Sequence, residues 1–368
     1  MKKQTSATTE TQLKGRTMID FNGKTIYVGI DMHKKDWQVA KVFEGMILGN
    51  YRMTGNHQNL ITHLRKHYPG ANFKCAYESS AWGFTLQRQL TAAGMDCIVV
   101  HAADVPGTNK ERANKTDSVD ALRLAMHHCK GSLQGIHVPE EAIQKQRSLI
   151  RFRKRLVGDI NRSKNRLKSL MKYHGIDIPA RFDKANWSAL FMRWVEQQAS
   201  QDLLLQDTLL LMLEEVKLLR QLLLKTERKL RIMMQSQQYK HNAELLTSAP
   251  GIGQTVSMLF LLEVGDVRRF PTFEQLNNFV GFYPGSHDSG ENEQSTGIST
   301  RKHKQLRSHL VEAAWRAIRI DPALMEAYRQ LTKRMDGKKA IIRIARKLLR
   351  RMRTILLTQT PYQMGVLA

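Results

Sequence analysis

Four carboxylates are placed where they could do chemistry: Asp31, Glu78, Asp117 and Asp120. Asp31 ends the apolar run Ile26-Tyr27-Val28-Gly29-Ile30, which reads as a buried strand. Glu78 ends a second short strand, Phe73 to Tyr77. Catalytic and ligand-holding groups of open α/β sheets gather at such strand ends. Asp117 and Asp120 stand three residues apart in a helix predicted to open at Thr116, and so share one face. Taken singly, each acid also reads as a solvated residue, and Asp117 as part of a helix cap. Taken together, four converging carboxylates would repel one another unless a cation neutralised them. Hard oxygen ligands suit Mg2+ or Mn2+. Two such ions, about 4 Å apart, could activate an attacking oxygen and stabilise a leaving one in phosphoryl transfer.

Two further segments carry chemistry. Ala249-Pro250-Gly251-Ile252-Gly253 lies between two short predicted helices, where Gly251 and Gly253 would let backbone amides approach a phosphate. It reads either as a helix-hairpin-helix clamp on a nucleic-acid backbone or as an ordinary connection. The second segment is a predicted loop from Tyr283 to Thr300, rich in Gly, Ser and Asn, with Ser289 before Gly290. It runs into a basic helix start, Arg301-Lys302-His303-Lys304 with Arg307. A hydroxyl beside phosphate-holding cations is what attack on a DNA phosphate requires. No histidine or acid at fixed spacing identifies a base for that hydroxyl.

These groups need elements to position them. Strands at 26–30, 73–77 and 95–100, a hairpin from 37 to 53 turning at Glu44-Gly45, and helices at 57–68, 81–93 and 116–127 predict an α/β domain with a largely parallel sheet. Residues 144–173 then hold eleven Lys and Arg against one acid, Asp159, with Leu149, Leu156, Ile160, Leu167 and Met171 at sevens and fours. Asp202 to Met234 is rich in leucine. Both read as long helices, pairing with each other or across a dimer. From 241 onward, helices at 243–248, 254–264 and 304–320 form a third, mostly helical region. The expected division is a flexible tail over 1–20, an α/β domain over 21–135, a helical coiled-coil region over 136–240, and a C-terminal domain over 241–368.

In their order, the Gly29-Ile30-Asp31-Met32-His33-Lys34-Lys35 run, Tyr77-Glu78-Ser79 and Lys115-Thr116-Asp117-Ser118-Val119-Asp120-Ala121 resemble a ribonuclease-H-like (RuvC-like) domain. Leu246 to Arg316 resembles a C-terminal transposase domain, through Pro250-Gly251-Ile252-Gly253, Gly281-Phe282-Tyr283-Pro284, Ser289-Gly290 and Leu306-Arg307. Over residues 24 to 330 the chain resembles the DEDD transposases of bacterial insertion sequences, which are bridge-RNA-guided serine recombinases. The resemblance implies that Asp31, Glu78, Asp117 and Asp120 hold magnesium, with manganese as the alternative. It implies that Ser289 is the nucleophile of a covalent 5′-phosphoserine link, ahead of Ser286 and Ser295. It also implies a structured guide RNA that pairs with donor and target DNA. The assembly would be a homo-oligomer, dimer to tetramer, in which one protomer's acids complete another's serine site. Lys115, Arg151, Arg155, Arg162, Lys164, Arg166, Arg301, Lys302, Lys304 and Arg307 would then serve nucleic-acid backbones, with base pairing reading the sequence. Two positions depart from the family pattern: Asp288 stands where a second hydroxyl is usual, and Lys302 where a glycine is usual.

Composition agrees with that direction. The 368 residues carry 58 Lys and Arg against 33 Asp and Glu, a net charge of +25 that points to a polyanionic partner. Apolar residues at 42% and charged residues at 25% fit a globular chain rather than a disordered one. No apolar stretch reaches the roughly 18 residues of a membrane span, and Met1-Lys2-Lys3 leads into no apolar segment of a secretory signal. Cys75, Cys97 and Cys129 form neither a metal pair nor a disulfide framework. The expected location is therefore the bacterial cytoplasm, acting at the nucleoid. Two other functions fit parts of the pattern. A junction-resolvase-like nuclease would use the same acids with water as nucleophile, and a non-catalytic nucleic-acid-binding protein would use only the charge.

Overall fold

The structure, a computed structural model, describes residues 20–107, 116–182, 187–201, 203–289, 292–298 and 302–365. Lys115, Arg301 and the N-terminal tail through residue 19 lie outside these, and so does Gly290. The chain forms two compact units, one ending at Val138 and the other beginning at Pro139. The boundary expected near 240 falls inside the second.

The first unit is built on a five-stranded sheet: β1 (Thr25–Met32), β2 (Asp36–Phe43), β3 (Met46–Thr54), β4 (Asn72–Glu78) and β5 (Asp96–Val100), in the order β3-β2-β1-β4-β5. β4 runs parallel to β1 and β5, while β2 is antiparallel to both β1 and β3. The sheet is thus mixed, not largely parallel as expected. The hairpin at Glu44-Gly45, both at positive φ (47° and 82°), forms as predicted; the difference lies one turn earlier, where His33 to Asp36 fold back, the His33 amide donating to the Asp36 carbonyl at 3.1 Å, and set β2 antiparallel to β1. Helix α1 (His57–His67) covers the sheet with Leu60, Ile61 and Leu64. Helix α2 (Thr85–Ala92) begins four residues later than predicted, because Ser80 to Phe84 form a turn. Helix α3 (Asp117–Cys129) is capped by the Thr116 hydroxyl, which accepts from the Val119 amide. The order and directions are those of a ribonuclease-H-like sheet.

The second unit opens with two long helices, α4 (Glu141–Tyr173) and α6 (Gln206–Met234), with α5 (Ala189–Ala199) between them in sequence. Gln146 meets Gln238, Arg153 meets Glu227 and Arg166 meets Glu215. Partner numbers fall as α4 numbers rise, so α4 and α6 pair antiparallel within one chain. Of the predicted seam, Leu156, Ile160, Leu167 and Met171 are buried. The far end of the pair packs on α5 through Phe191, Val195 and Ala199. The near end, with Ile150, Leu230 and Met234, belongs to the core of the C-terminal helices. Those are α7 (Lys240–Thr247), α8 (Gln254–Val264), α9 (Phe273–Val280), α10 (Lys304–Ile320), α11 (Pro322–Thr332) and α12 (Gly337–Thr358). Helix α8 is apolar almost all round, and its residues from Ser257 to Val264 are buried, which is the pattern of a central helix.

The segment expected as a loop is in part a hairpin. β6 (Pro284–Ser289) pairs antiparallel with β7 (Asn292–Ile298), with Ser289 opposite Asn292 and Ser286 opposite Ser295.

Candidate metal centre and basic surfaces

The closeness of α3 to the sheet is set at Gly29. A Cβ there would stand 2.0 Å from the Ala121 carbonyl oxygen and 2.5 Å from the Ala125 nitrogen. Only a residue without a side chain lets the helix lie this near β1, and the packing continues through Ala40, Val42, Ala121 and Ala125. Asn50 of β3 then pins the start of α3, donating from Nδ2 to the Ser118 carbonyl (2.9 Å) and hydroxyl (2.8 Å). Gln38 donates to the Asn50 Oδ1 at 2.7 Å. The first turn of α3, with Asp117 and Asp120, is thereby brought to the C-terminal ends of β1 and β4.

The four predicted carboxylates are brought together, and two basic side chains sit among them. His33 Nε2 lies 3.4 Å from Asp31 Oδ2 and 3.2 Å from Asp117 Oδ1. The Arg123 guanidinium lies 2.9 Å from Asp120 Oδ1 and 3.6 Å from Glu78 Oε1. Burial raises the Asp31 carboxyl above its ordinary range; His33 partly offsets this, while Asp117 and Asp120 add to it. A carboxyl raised mainly by burial, with two further acids adding to it, is one whose charged form a bound cation would stabilise. The donor set fits a divalent ion. Asp31, His33 and Asp117 each offer one ligand atom within 4.8 Å of the others; the carboxylate oxygens suit Mg2+ or Mn2+, and an imidazole donor tips the set toward the softer Mn2+. When bound, such an ion would supply Lewis-acid stabilisation of charge on a phosphate.

Neither His33 nor Arg123 was singled out from the sequence. The signals were present: His33 follows Asp31 by two, and Arg123 follows Asp120 by three on the same helix face.

The other predicted residues lie in the second unit. Ser289 is the last residue of β6, a register position at the hairpin's end. Gly251 has φ +78°, and a Cβ on it would meet the Ala313 carbonyl oxygen of α10 at 2.2 Å. Its glycine requirement is therefore explained by helix packing inside the protein. Gly253, at the N-cap of α8, has open space around its Cα. Lys302 and Lys304 are exposed at the start of α10, and Arg307 donates to the Gly281 carbonyl at 2.9 Å.

The predicted cations of α4 are unequal. Arg151 grips the buried Glu263 carboxylate with two 2.7 Å hydrogen bonds. Arg162 pairs with Asp159, Arg166 lies 3.7 Å from Glu215, and the Lys164 ammonium is 5.5 Å from the Trp187 ring. Arg155 is exposed beside Phe152. The α4 surface is therefore partly neutralised by acids of α4, α6 and α8. A further basic surface, to which the sequence motifs assign no role, is the outer face of α12. There Lys339, Arg343, Lys347 and Arg350 are exposed opposite a fully apolar inner face.

Buried Glu263 organises this region. Burial raises its carboxyl, but hydrogen bonds from Arg151 and His303 outweigh that and hold it down at about 2. His303 Nε2 is 3.4 Å away, while its Nδ1 accepts from the Leu306 amide and so caps α10.

A ribonuclease-H-like sheet with Asp31, Glu78, Asp117 and Asp120 at one corner fits a DEDD transposase. Comparisons with known proteins agree. The sequence profile of a DEDD transposase family of IS110 type matches residues 28–175, and that of the transposase IS116/IS110/IS902 family matches residues 243–329, together more than half of the chain. A putative transposase, y4qE, of Sinorhizobium fredii is 27% identical over 82% of this chain and 73% of its own length. The transposase for insertion sequence element IS1533 of Leptospira borgpetersenii is 25% identical over 67% of this chain and 71% of its own. A pilin gene-inverting protein of Moraxella bovis is 33% identical over 30% of this chain and 35% of its own. The chain belongs to the IS110-type family of DEDD transposases.

Proposed function

We propose that this transposase is an RNA-guided DNA recombinase in which the acids of the first unit support attack by Ser289 on a DNA phosphate. The observation that carries this reading is the assembly of Asp31, Glu78, Asp117 and Asp120 at one corner of the sheet, with Asp31 and Asp117 sharing His33 and with Asp120 and Glu78 sharing Arg123. In the proposed step the Ser289 hydroxyl attacks phosphorus, the bond to the 3′ oxygen breaks, and the serine proton ends on that leaving oxygen. One phosphodiester is exchanged for another, so its energy is kept and a second 3′ hydroxyl can reverse the reaction on a new strand. The carboxylates would hold Mg2+ or Mn2+. The pilin gene-inverting relative supports strand exchange, since inversion rejoins cut ends.

Lys302, Lys304, Arg155 and the outer face of α12 would carry donor DNA, target DNA and the guide RNA by their backbones. The turn at 249–253 would add a helix-hairpin-helix contact through Gly253. One protomer's acids would serve another's serine in a dimer or tetramer, paired in part by coiled-coil contacts. No helix among the described residues is long and apolar enough to cross a membrane.

The test is mass spectrometry of the full-length protein after reaction with its element-junction DNA, with co-purified RNA retained. A nucleotide adduct on the Ser289 peptide, lost in EDTA and in Ser289→Ala, is the expected result. Metal-dependent nicks without an adduct would replace this reading with a resolvase-like nuclease that uses water.

A further inference from the structure

We propose that the outer face of α10 is a stacking surface for an unpaired segment of nucleic acid, with Trp315 as the ring on which a base lies. This names the form of nucleic acid that one surface takes, and it rests on the reading of the chain as a recombinase that handles DNA and a guide RNA.

A single exposed aromatic ring is ordinary; the setting of this one is not. Trp315 is 38% exposed, on a helix that carries Lys304, Arg307, Arg316 and Arg319 against one acid, Glu312. Lys304, Trp315 and Arg319 follow one another at helical spacings, so they share one face of α10 over about 22 Å. Arg316 is exposed beside them. The ring is held from behind. Its centroid lies 5.7 Å from that of Tyr328 on α11, in an edge contact, and a Cβ on Gly337 at the start of α12 would meet the Tyr328 Oη at 2.8 Å. Three helices thus fix where the indole stands, and little freedom is left to lose when a base covers it. The other end of the face meets the base of the serine hairpin. Arg307 donates to the Gly281 carbonyl, and two residues further on Tyr283 is 52% exposed just before β6.

Helix α12 provides the contrast. Its outer face is also basic, with Lys339, Arg343, Lys347 and Arg350, but the helix contains no aromatic residue. Cations alone hold phosphates, which a duplex presents with its bases stacked inside. A ring among cations adds what a duplex cannot use, a platform for an unstacked base, commonly a matter of about tenfold in affinity for each base. Charge and ring together therefore fit a single-stranded stretch, whether a loop of RNA or a displaced DNA strand.

The experiment is fluorescence anisotropy on the full-length protein, freed of co-purified nucleic acid in high salt. It is run in EDTA and with Ser289→Ala throughout, so that neither metal nor the serine step enters. The probes are a labelled oligouridine of about twelve nucleotides, the matching oligothymidine, and a duplex of equal length. Trp315→Ala should weaken the single strands about tenfold and leave the duplex unchanged, while Trp315→Phe keeps most of the affinity. Either order of preference between the two single strands supports the proposal and tells RNA from DNA as the source. Equal losses for single strand and duplex would overturn it. So would unchanged single-strand affinity with a lowered molar mass, which would make the face a contact between two copies. Irradiation of the protein with Trp315 intact and a 5-iodouridine oligomer should cross-link the tryptic peptide Ser308–Arg316. Its absence from the cross-links would overturn the proposal even if Trp315→Ala does not fold. None of these readouts depends on an adduct at Ser289, so the recombinase mechanism and this surface can fail separately.

Discussion

Glu263 shows how much one buried acid can organise. It is 3% exposed, yet Arg151 and His303 keep its carboxyl at about 2. A carboxyl depressed in the folded state contributes stability that is complete above its unfolded value, ordinarily 4.5, and lost as pH falls through the folded one. Urea unfolding should therefore show a Glu263-dependent loss of stability between pH about 4.5 and 2. Glu263→Gln should remove that part of the acid dependence and cost about 3 kcal/mol at neutral pH, the low end for breaking a buried pair because Arg151 can return to water. The residue scale is also where the sequence was most legible. Asp31, Glu78, Asp117 and Asp120 sit in short runs whose order is informative. His33 and Arg123 were not legible, because a basic residue near an acid is usually solvated. Their roles emerge only when Gly29 lets α3 lie against β1.

At the scale of elements, that glycine is the test. Gly29→Ala should push α3 off the sheet, cost about 3 kcal/mol by overpacking and weaken Mn2+ binding, whereas Ala40→Gly should leave the Mn2+ affinity little changed; equal affinities in the two variants would show that the approach of α3 does not set the site. The serine hairpin explains why a loop was expected. Pro284 to Ser289 contains no strongly apolar residue, so the alternation that marks a strand is absent. Antiparallel pairing of α4 with α6 was one of two open choices, because leucine spacing alone does not say which helix a seam meets. The basic outer face of α12 has its own consequence. Arg343→Gln with Lys347→Gln should lower affinity for unrelated duplexes uniformly and reduce the slope of log K against log salt by about 2, one for each phosphate no longer neutralised.

At the scale of the whole molecule, the net charge of +25 means that binding to any nucleic acid should weaken steeply with salt. The proposed oligomer has an available apolar surface. Leu204, Leu211, Leu218 and Ile232 recur at multiples of seven along and just before α6 and are more than half exposed. Leu211→Glu with Leu218→Glu should lower the molar mass in solution by light scattering while leaving the antiparallel pairing with α4 intact; an unchanged mass would remove this face from the assembly. The pair itself has a geometric meaning. Because α4 leaves the C-terminal core and α6 returns to it, the chain begins and ends the excursion at the same place. Its length is thus a free variable. One heptad added to α4 and one to α6 would extend it by about 10 Å without disturbing the fold at its base. The helical arm can act as a spacer, and relatives could reset the span between what they hold at its two ends by inserting matched turns alone.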